Sequence, residues 1–494
     1  MSKTSLTQKR KALAAIGLAA AATATVLVWI GLYATDIPVA EASSRPGYQG
    51  EAEYNAFDKW DVDSNLYLPF VSSDPAWGWR TATIVQNTCT DTITITLRYF
   101  NTLGIEEDTI TDTLPPLGSR VYTPTDVFSG SVLISATENI GAIATDSPLD
   151  SNREGDSLMS YRGVERWDGG VEISLLPIYR GYQGWNSRFA IQNTEDTTTP
   201  ITITFYDLNG TAVYSQVDSL PPRSAHLYDG VELSGLGTDF HGRAQVETGS
   251  SKRVAGVVKA VNSQTGEAVA HNNHPLEPAS APYVFLPLVT RRHTSSIVVY
   301  NTGATEVTSN TLTLYDQDGI TVTTYGPFSL AAYAVRSVSL NDPGWSPAVP
   351  AGFKGSAKVY RGSHHIDALA DTTWPSIPST FTGYSGIDWG SAPFYVPFVS
   401  KSVEGGVTQI SVQNIADTEA EVAVTYYDGS GSQAGRETAM VEPYAAHYFD
   451  QAASGLPASF SGSAVVTSTH SIVVTGLISR GQLNLVYLPL VLRQ

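Results

Sequence analysis

A chain of 494 residues is too long for one compact core and points to several domains. Asp and Glu (47) outnumber Lys and Arg (29), and the resulting net charge of -18 repels phosphate backbones and argues against nucleic-acid binding. The lone cysteine, Cys89, rules out an intrachain disulfide, so each domain must be stable through its own core. A free thiol in a turn is the expected state of Cys89, with a link between two chains as the alternative.

The chain begins with a basic segment, residues 1–11, whose Lys3, Lys9, Arg10 and Lys11 are its only charges. Without these four positive charges the net charge of -18 becomes -22 for the remainder. Residues 12–33 (ALAAIGLAAAATATVLVWIGLY) carry no charge and are long enough to cross a membrane as a helix. Basic residues before the run, and Asp36 and Glu41 after it, place the N-terminus inside and the bulk outside. An uncleaved anchor is the favoured reading. The alternative is a cleaved signal peptide ending near Ala40-Glu41-Ala42, with the protein secreted. Residues 34–62 read as a linker.

From residue 63 one pattern is written four times, so four domains are expected at 63–168, 169–280, 281–392 and 393–494. Each copy opens on a Leu-Pro or Val-Pro step: YLPFV at Tyr67, SLLPI at Ser174, VFLPLV at Val284, YVPFV at Tyr395. An Asn-terminated strand follows, ending at Asn87, Asn193, Asn301 and Asn414. An alternating run comes next (TITITLRYF, ITITFYD, TLTLYD, EVAVTYYD) and closes in turns ending at Gly104, Gly210, Gly319 and Gly431. Later in each copy stands Phe-x-Gly: FSGSVLI from Phe128, FHGRAQV from Phe240, FKGSAKV from Phe353 and FSGSAVV from Phe460. A further apolar strand ends the pattern, and linkers of unequal length lead onward. The last copy instead runs into LVYLPLVLR, a fifth Leu-Pro strand expected to close the final sheet.

The period is two throughout. Ile93, Ile95, Leu97 and Tyr99 share one face while Thr94, Thr96 and Arg98 share the other, as in an antiparallel sheet with one face on a core. The expected fold is all-β: four tandem antiparallel β-sandwiches of immunoglobulin or fibronectin III type after one N-terminal transmembrane or signal helix. In Phe-x-Gly-x-Ala-x-Val the glycine falls on the inward face, where it lets a neighbour approach the strand closely.

The combination of Leu-Pro-Leu-Val, Val-Gln-Asn, Tyr-Asp-x-x-Gly and Phe-x-Gly-Ser-Ala-x-Val resembles tandem β-sandwich repeats of secreted bacterial cell-surface proteins. The resemblance covers roughly residues 63–494 and implies a stalk or adhesive module without catalytic residues. The expected function is therefore a non-enzymatic surface protein, with four modules in file projecting from the membrane toward a cell-envelope polymer or surface protein. The alternative is a carbohydrate-binding surface protein using loop aromatics of the first two copies.

Candidate chemistry is sparse. Trp77, Trp79 and Trp185, with Tyr182 nearby, lie beside the Asn strands and are candidates for sugar stacking or an interface. Rings that merely cover the open ends of the sandwiches are the favoured explanation. Trp345, Trp374 and Trp389 fall in Pro/Gly-rich stretches of the third copy. No cofactor is expected. Asp146, Asp150 and Asp156 are weak candidates for a structural calcium, as is Asp61-x-Asp63-x-Asn65, but solvated charge is favoured. His271-Asn-Asn-His274 and His364-His365 lack an obvious third metal ligand. There is no Gly-x-Ser-x-Gly elbow and no His-Glu-x-x-His, and a Ser-His-Asp set could come only from residues scattered along the chain.

Overall fold

The computed structural model describes residues 50–480 apart from 125, 150–157, 167–168, 250, 276–280, 292–293, 375–379 and 404–405. The expected anchor (12–33), Asp150, Asp156 and the terminal LVYLPLVLR lie outside the described residues. Among the described residues no helix is long and apolar enough to cross a membrane. The structure is all-β, built from several antiparallel sheets.

The four copies use their strands alike. The Leu-Pro strand pairs with the Phe-x-Gly strand, which pairs in turn with the alternating strand. The Asn strand pairs instead with the last apolar strand. In copy one a single long strand, Ser129–Pro148, makes both sets of pairings. Ile93, Ile95, Leu97 and Tyr99 are buried while Arg98 is not, as the period of two requires.

Each repeated residue has a visible task. The buried side-chain amide of Asn193 donates to the carbonyls of Thr197 (2.8 Å), Leu220 (3.1 Å) and Pro221 (3.0 Å), bracketing two turns at once. Asn87, Asn301 and Asn414 do the same in their copies. In the hairpin turns, Asp207, Asp316 and Asp428 each accept two backbone N–H groups, and the closing glycines stand at φ of 84°, 76° and 78°. A left-handed residue there favours glycine, and the carboxylates are committed to the turn.

The motif glycine sits under two neighbours. A Cβ on Gly462 would lie 2.9 Å from the Phe460 ring and well inside contact with the Tyr427 carbonyl on the adjacent strand. Gly130, Gly242 and Gly355 meet the same pair of obstacles. Gly462→Ala is expected to destabilise by about 2–4 kcal/mol, because the strand pair must separate to admit the methyl. Chemical denaturation checks this, and a change below 0.5 kcal/mol would remove the packing account.

The sequence leaves open whether the copies form a straight rod or fold back on one another. They form a closed ring. Each hairpin turn presses on the following copy: Gly104 on Pro221, Gly210 on Ala332, Gly319 on Pro443, and Gly431 of copy four on Pro116 of copy one. The motif serines reach the same receiving turns. Ser131 donates to the Arg223 carbonyl (3.3 Å), Ser356 to Tyr444 (2.7 Å) and Ser463 to Leu117 (2.6 Å). In copy two Arg243 replaces the serine and donates to the Asn301 carbonyl (3.1 Å).

Four inner strands meet at the ring's centre: Gly50–Asn55, Met159–Arg162, Ala268–Asn272 and Thr380–Ser385, each touching the next and the last touching the first. Three of them lie near the ends of their own copies, and Ala268–Asn272 (in part) and Thr380–Ser385 fall in stretches read from sequence as linkers. The fourth does not. Gly50–Asn55, assigned to the 34–62 linker, completes the sheet of copy four by pairing with Ile472–Arg480. The closing edge strand therefore comes from the N-terminal side of the repeats, where no copy-to-copy alignment would have looked for it.

Candidate functional site

The inner strands place Asn55, Arg162, Asn272 and Ser385 at equivalent positions, as the registers with Thr475, Ile143, Val257 and Leu369 show. They are tied together. The Asn272 amide donates to the Arg162 carbonyl (2.7 Å) and accepts its N–H (2.9 Å), and Asn55 donates to the Ser385 carbonyl (2.9 Å). All four line a pocket of about 360 Å³, to which every copy or its closing strand contributes.

Two ion pairs furnish this pocket, Arg162–Asp61 at 2.7 Å and Arg361–Asp388 at 2.6 Å, and His274 Nδ1 lies 2.6 Å from the Asp367 carboxylate. Burial alone would push the Asp367 carboxyl up, but His274 and Arg361 together hold it below the ordinary carboxylate range. Arg162 also lies 5.0 Å over the Phe57 ring. Trp389 lines the pocket and Trp60 lies 6.5 Å from it with the ring planes inclined at 32°; the two are 47% and 62% exposed. Asp58 fixes this pair by accepting the N–H groups of Trp60 (2.7 Å) and Ser391 (3.2 Å). Its carboxyl is pushed up, first by burial and then by Asp61.

The residues singled out from sequence are placed elsewhere. Trp79 is buried in the core of copy one. Trp77 is half-buried between the Phe70 ring (5.3 Å) and the Arg188 guanidinium of copy two (4.5 Å). Trp185 meets Phe381 of copy three edge-on at 5.2 Å, and Tyr182 stacks on Tyr179 at 6.0 Å. Trp77 and Trp185 thus stand at seams between copies, while Tyr182 stacks within copy two. A second cavity of about 220 Å³ lies at the seam of copies two and three, lined by Tyr179, His241, Asp371 and Phe381 among apolar side chains. Burial pushes His241 down to about 4, so it is neutral there at ordinary pH.

Asp146 is fully buried and paired with Lys259 at 2.7 Å, with the Thr81 hydroxyl donating to its other oxygen. Its carboxylate therefore faces an ammonium group. Among the described residues no group of three His, Cys, Asp or Glu side chains is arranged to hold a metal. His271 is buried 3.3 Å from Asp371, His274 belongs to the axial pocket, and His364 is exposed in a turn. Of the axial residues, the sequence drew attention only to Asp61, His274 and Trp389, each for another reason. Ser385, Asp367 and Arg361 were missed because no local pattern marks them; they meet only when the ring closes.

No family model matches the chain, and no curated protein does either. Among solved structures, a calcium-binding mutant of Bacteroides uniformis beta-glucuronidase 2 aligns at 12% identity over 66% of this chain and 34% of its own, with a TM-score of 0.13. A glycoside hydrolase family 32 protein from Bifidobacterium adolescentis aligns at 8% identity over 85% and 100%, with a TM-score of 0.16. Vicilin from Corylus avellana aligns at 10% identity over 69% and 74%, with a TM-score of 0.14. The chain thus spans about a third of the first of these. Scores this low carry no inference about fold or function.

Proposed function

We propose that the protein is an exported surface adhesin that binds carbohydrate at the mouth of the axial pocket. In this reading four immunoglobulin-like sandwiches form a ring held at the membrane by residues 12–33, and the partner is a polysaccharide of a cell envelope or matrix. The exposed Trp60–Trp389 pair at the pocket carries the proposal. Sugar rings present C–H faces that stack on indoles, and their hydroxyls suit paired carboxylate, amide and guanidinium groups such as those of Asp61, Asn55 and Arg162.

The reading moves the aromatic contact from Trp77, Trp79 and Trp185 to Trp60 and Trp389. Retention on a panel of immobilised polysaccharides is expected for the native protein. Trp389→Ala and Trp60→Ala should each weaken it about tenfold, or roughly 1.4 kcal/mol. Equal retention of native and variant proteins, or no retention of either, would sink the proposal.

A further inference from the structure

We propose that Ser385, His274 and Asp367 form a nucleophilic relay, and that the axial pocket hydrolyses short-chain carboxylic esters. This goes beyond the binding reading and does not depend on the ligand being a saccharide. The Asp367 carboxylate lies 2.6 Å from His274 Nδ1, and His274 Nε2 lies 3.0 Å from the Ser385 hydroxyl oxygen. With Nδ1–H donating to the carboxylate, the Nε2 lone pair is left to accept the serine proton, the tautomer a general base requires. The array is held on every side. The Ala368 N–H donates to Asp367 (2.7 Å), the Tyr300 ring meets the imidazole edge-on at 5.2 Å, and the His274 backbone pairs with Ser174. His274 is buried, Asp367 and Ser385 are half-buried, and all three line the pocket.

Comparison of the four copies supports a specific role. Asp367 stands where the other copies have Gly141, Ala255 and Val473, and Ser385 where they have Asn55, Arg162 and Asn272. At the position of Tyr300 the others carry Gln86, Gln192 and Gln413, each of which donates to a strand carbonyl of the adjoining copy. Copy three has exchanged that staple for an aromatic wall against His274. Copy three alone therefore brings a carboxylate, a hydroxyl and an aromatic ring to this corner of the cavity; the other copies share Gln at the Tyr300 position and differ among themselves at the other two.

In the reaction, the Ser385 hydroxyl oxygen adds to the ester carbonyl carbon while His274 Nε2 takes its proton. The bond to the alcohol oxygen then breaks, and the imidazolium returns that proton to the leaving alcohol. Water, deprotonated by Nε2, attacks the acyl-serine and releases the carboxylic acid and free Ser385. The Gly386 N–H is committed to the Ala368 carbonyl (2.7 Å), so charge on the tetrahedral oxygen must be met by side chains. Arg162 and Arg361 are the cations lining the same pocket.

The test uses the full chain with a fluorophosphonate probe, peptide mapping by mass spectrometry, and p-nitrophenyl acetate turnover. The expected results are covalent label on Ser385 and saturable turnover whose acidic limb, activity falling as pH drops, is set by one histidine. Ser385→Ala should abolish the label, and Ser385→Ala and Asp367→Asn should each lower kcat/KM about 100-fold or more. No label on native protein, label on another residue, or turnover unchanged in Ser385→Ala would overturn the proposal. Label on native Ser385 decides the matter even if a variant misfolds. Loss of polysaccharide retention would defeat the carbohydrate reading while leaving the label untouched, so the two fail separately.

Discussion

A chain lacking Gly50–Asn55 is expected to lose cooperative folding of the ring, and not merely a frayed end. Those six residues pair in unbroken register from Gly50 opposite Arg480 to Asn55 opposite Thr475. The Tyr54 hydroxyl donates to the Phe398 carbonyl (2.9 Å), and the Tyr54 ring lies against Gly476, where a Cβ would come within 2.6 Å of it. Asn55 meanwhile crosses to copy three at Ser385. Removing the strand exposes an apolar sheet edge, strips one wall from the ring centre and opens the pocket at once. The converse variant should gain stability. Ala52 and Ile478 are directly opposed, so Ala52→Cys with Ile478→Cys, in a Cys89→Ser background, has the spacing for a disulfide. Closing so long a loop stabilises by about 6 kcal/mol in the chain-entropy model, and strain at the buried pair would reduce that. Calorimetry of oxidised and reduced protein measures it. Equal Tm values in both states, together with a well-folded deletion variant, would show that ring closure contributes nothing.

Stability should also fall as pH rises from about 5 to about 8, and Glu53→Gln should abolish most of that fall. Glu53 lies on the closing strand, fully buried, with the Thr382 hydroxyl donating to it at 2.9 Å. Burial, reinforced by Asp371, pushes its carboxyl from 4.5 up to about 8, against the opposing pulls of Thr382 and Lys354. A carboxyl raised in the folded state binds its proton more tightly there. Its contribution is therefore complete below the unfolded value and is lost as pH climbs through about 8. The full amplitude is on the order of 5 kcal/mol as an upper figure. Asp58 acts in the same direction, whereas Asp367, Asp112 and Asp218 are held low and contribute an opposite slope confined to acid pH. General repulsion in so acidic a chain also grows with pH, so the native-versus-variant difference is the diagnostic quantity. Urea unfolding at pH 5 and 8.5 should show Glu53→Gln near native stability at the lower pH and well above it at the higher. Parallel slopes for the two proteins would refute the assignment.

Much of this architecture was legible before any coordinate was considered, but not where function would be sought. Ile93 to Tyr99 declared a half-buried strand through its period, and Asp207 to Gly210 declared a hairpin turn. The four glycines of Phe-x-Gly were correctly read as sites of close approach. Composition cannot separate an indole offered to a ligand from one buried in a core, like Trp79, or set against the next copy, like Trp77 and Trp185. Trp60 and Trp389 look no different in sequence. Their exposure follows from the route the chain takes around Asp58.

The sequence by itself determined the strands, the turns and the repeat, because these rest on interactions between near neighbours: side-chain alternation, a left-handed glycine, an asparagine bracketing two adjacent turns. Only the tertiary structure decided that four copies make a ring and not a file, that residues 50–55 finish the last sheet, and that Asp367, His274 and Ser385 meet. Those outcomes depend on contacts between segments up to about 430 residues apart, in which loop-closure entropy is offset by burial accumulated over the whole ring. No local pattern records such a balance, so the pocket becomes visible only when the ring is closed.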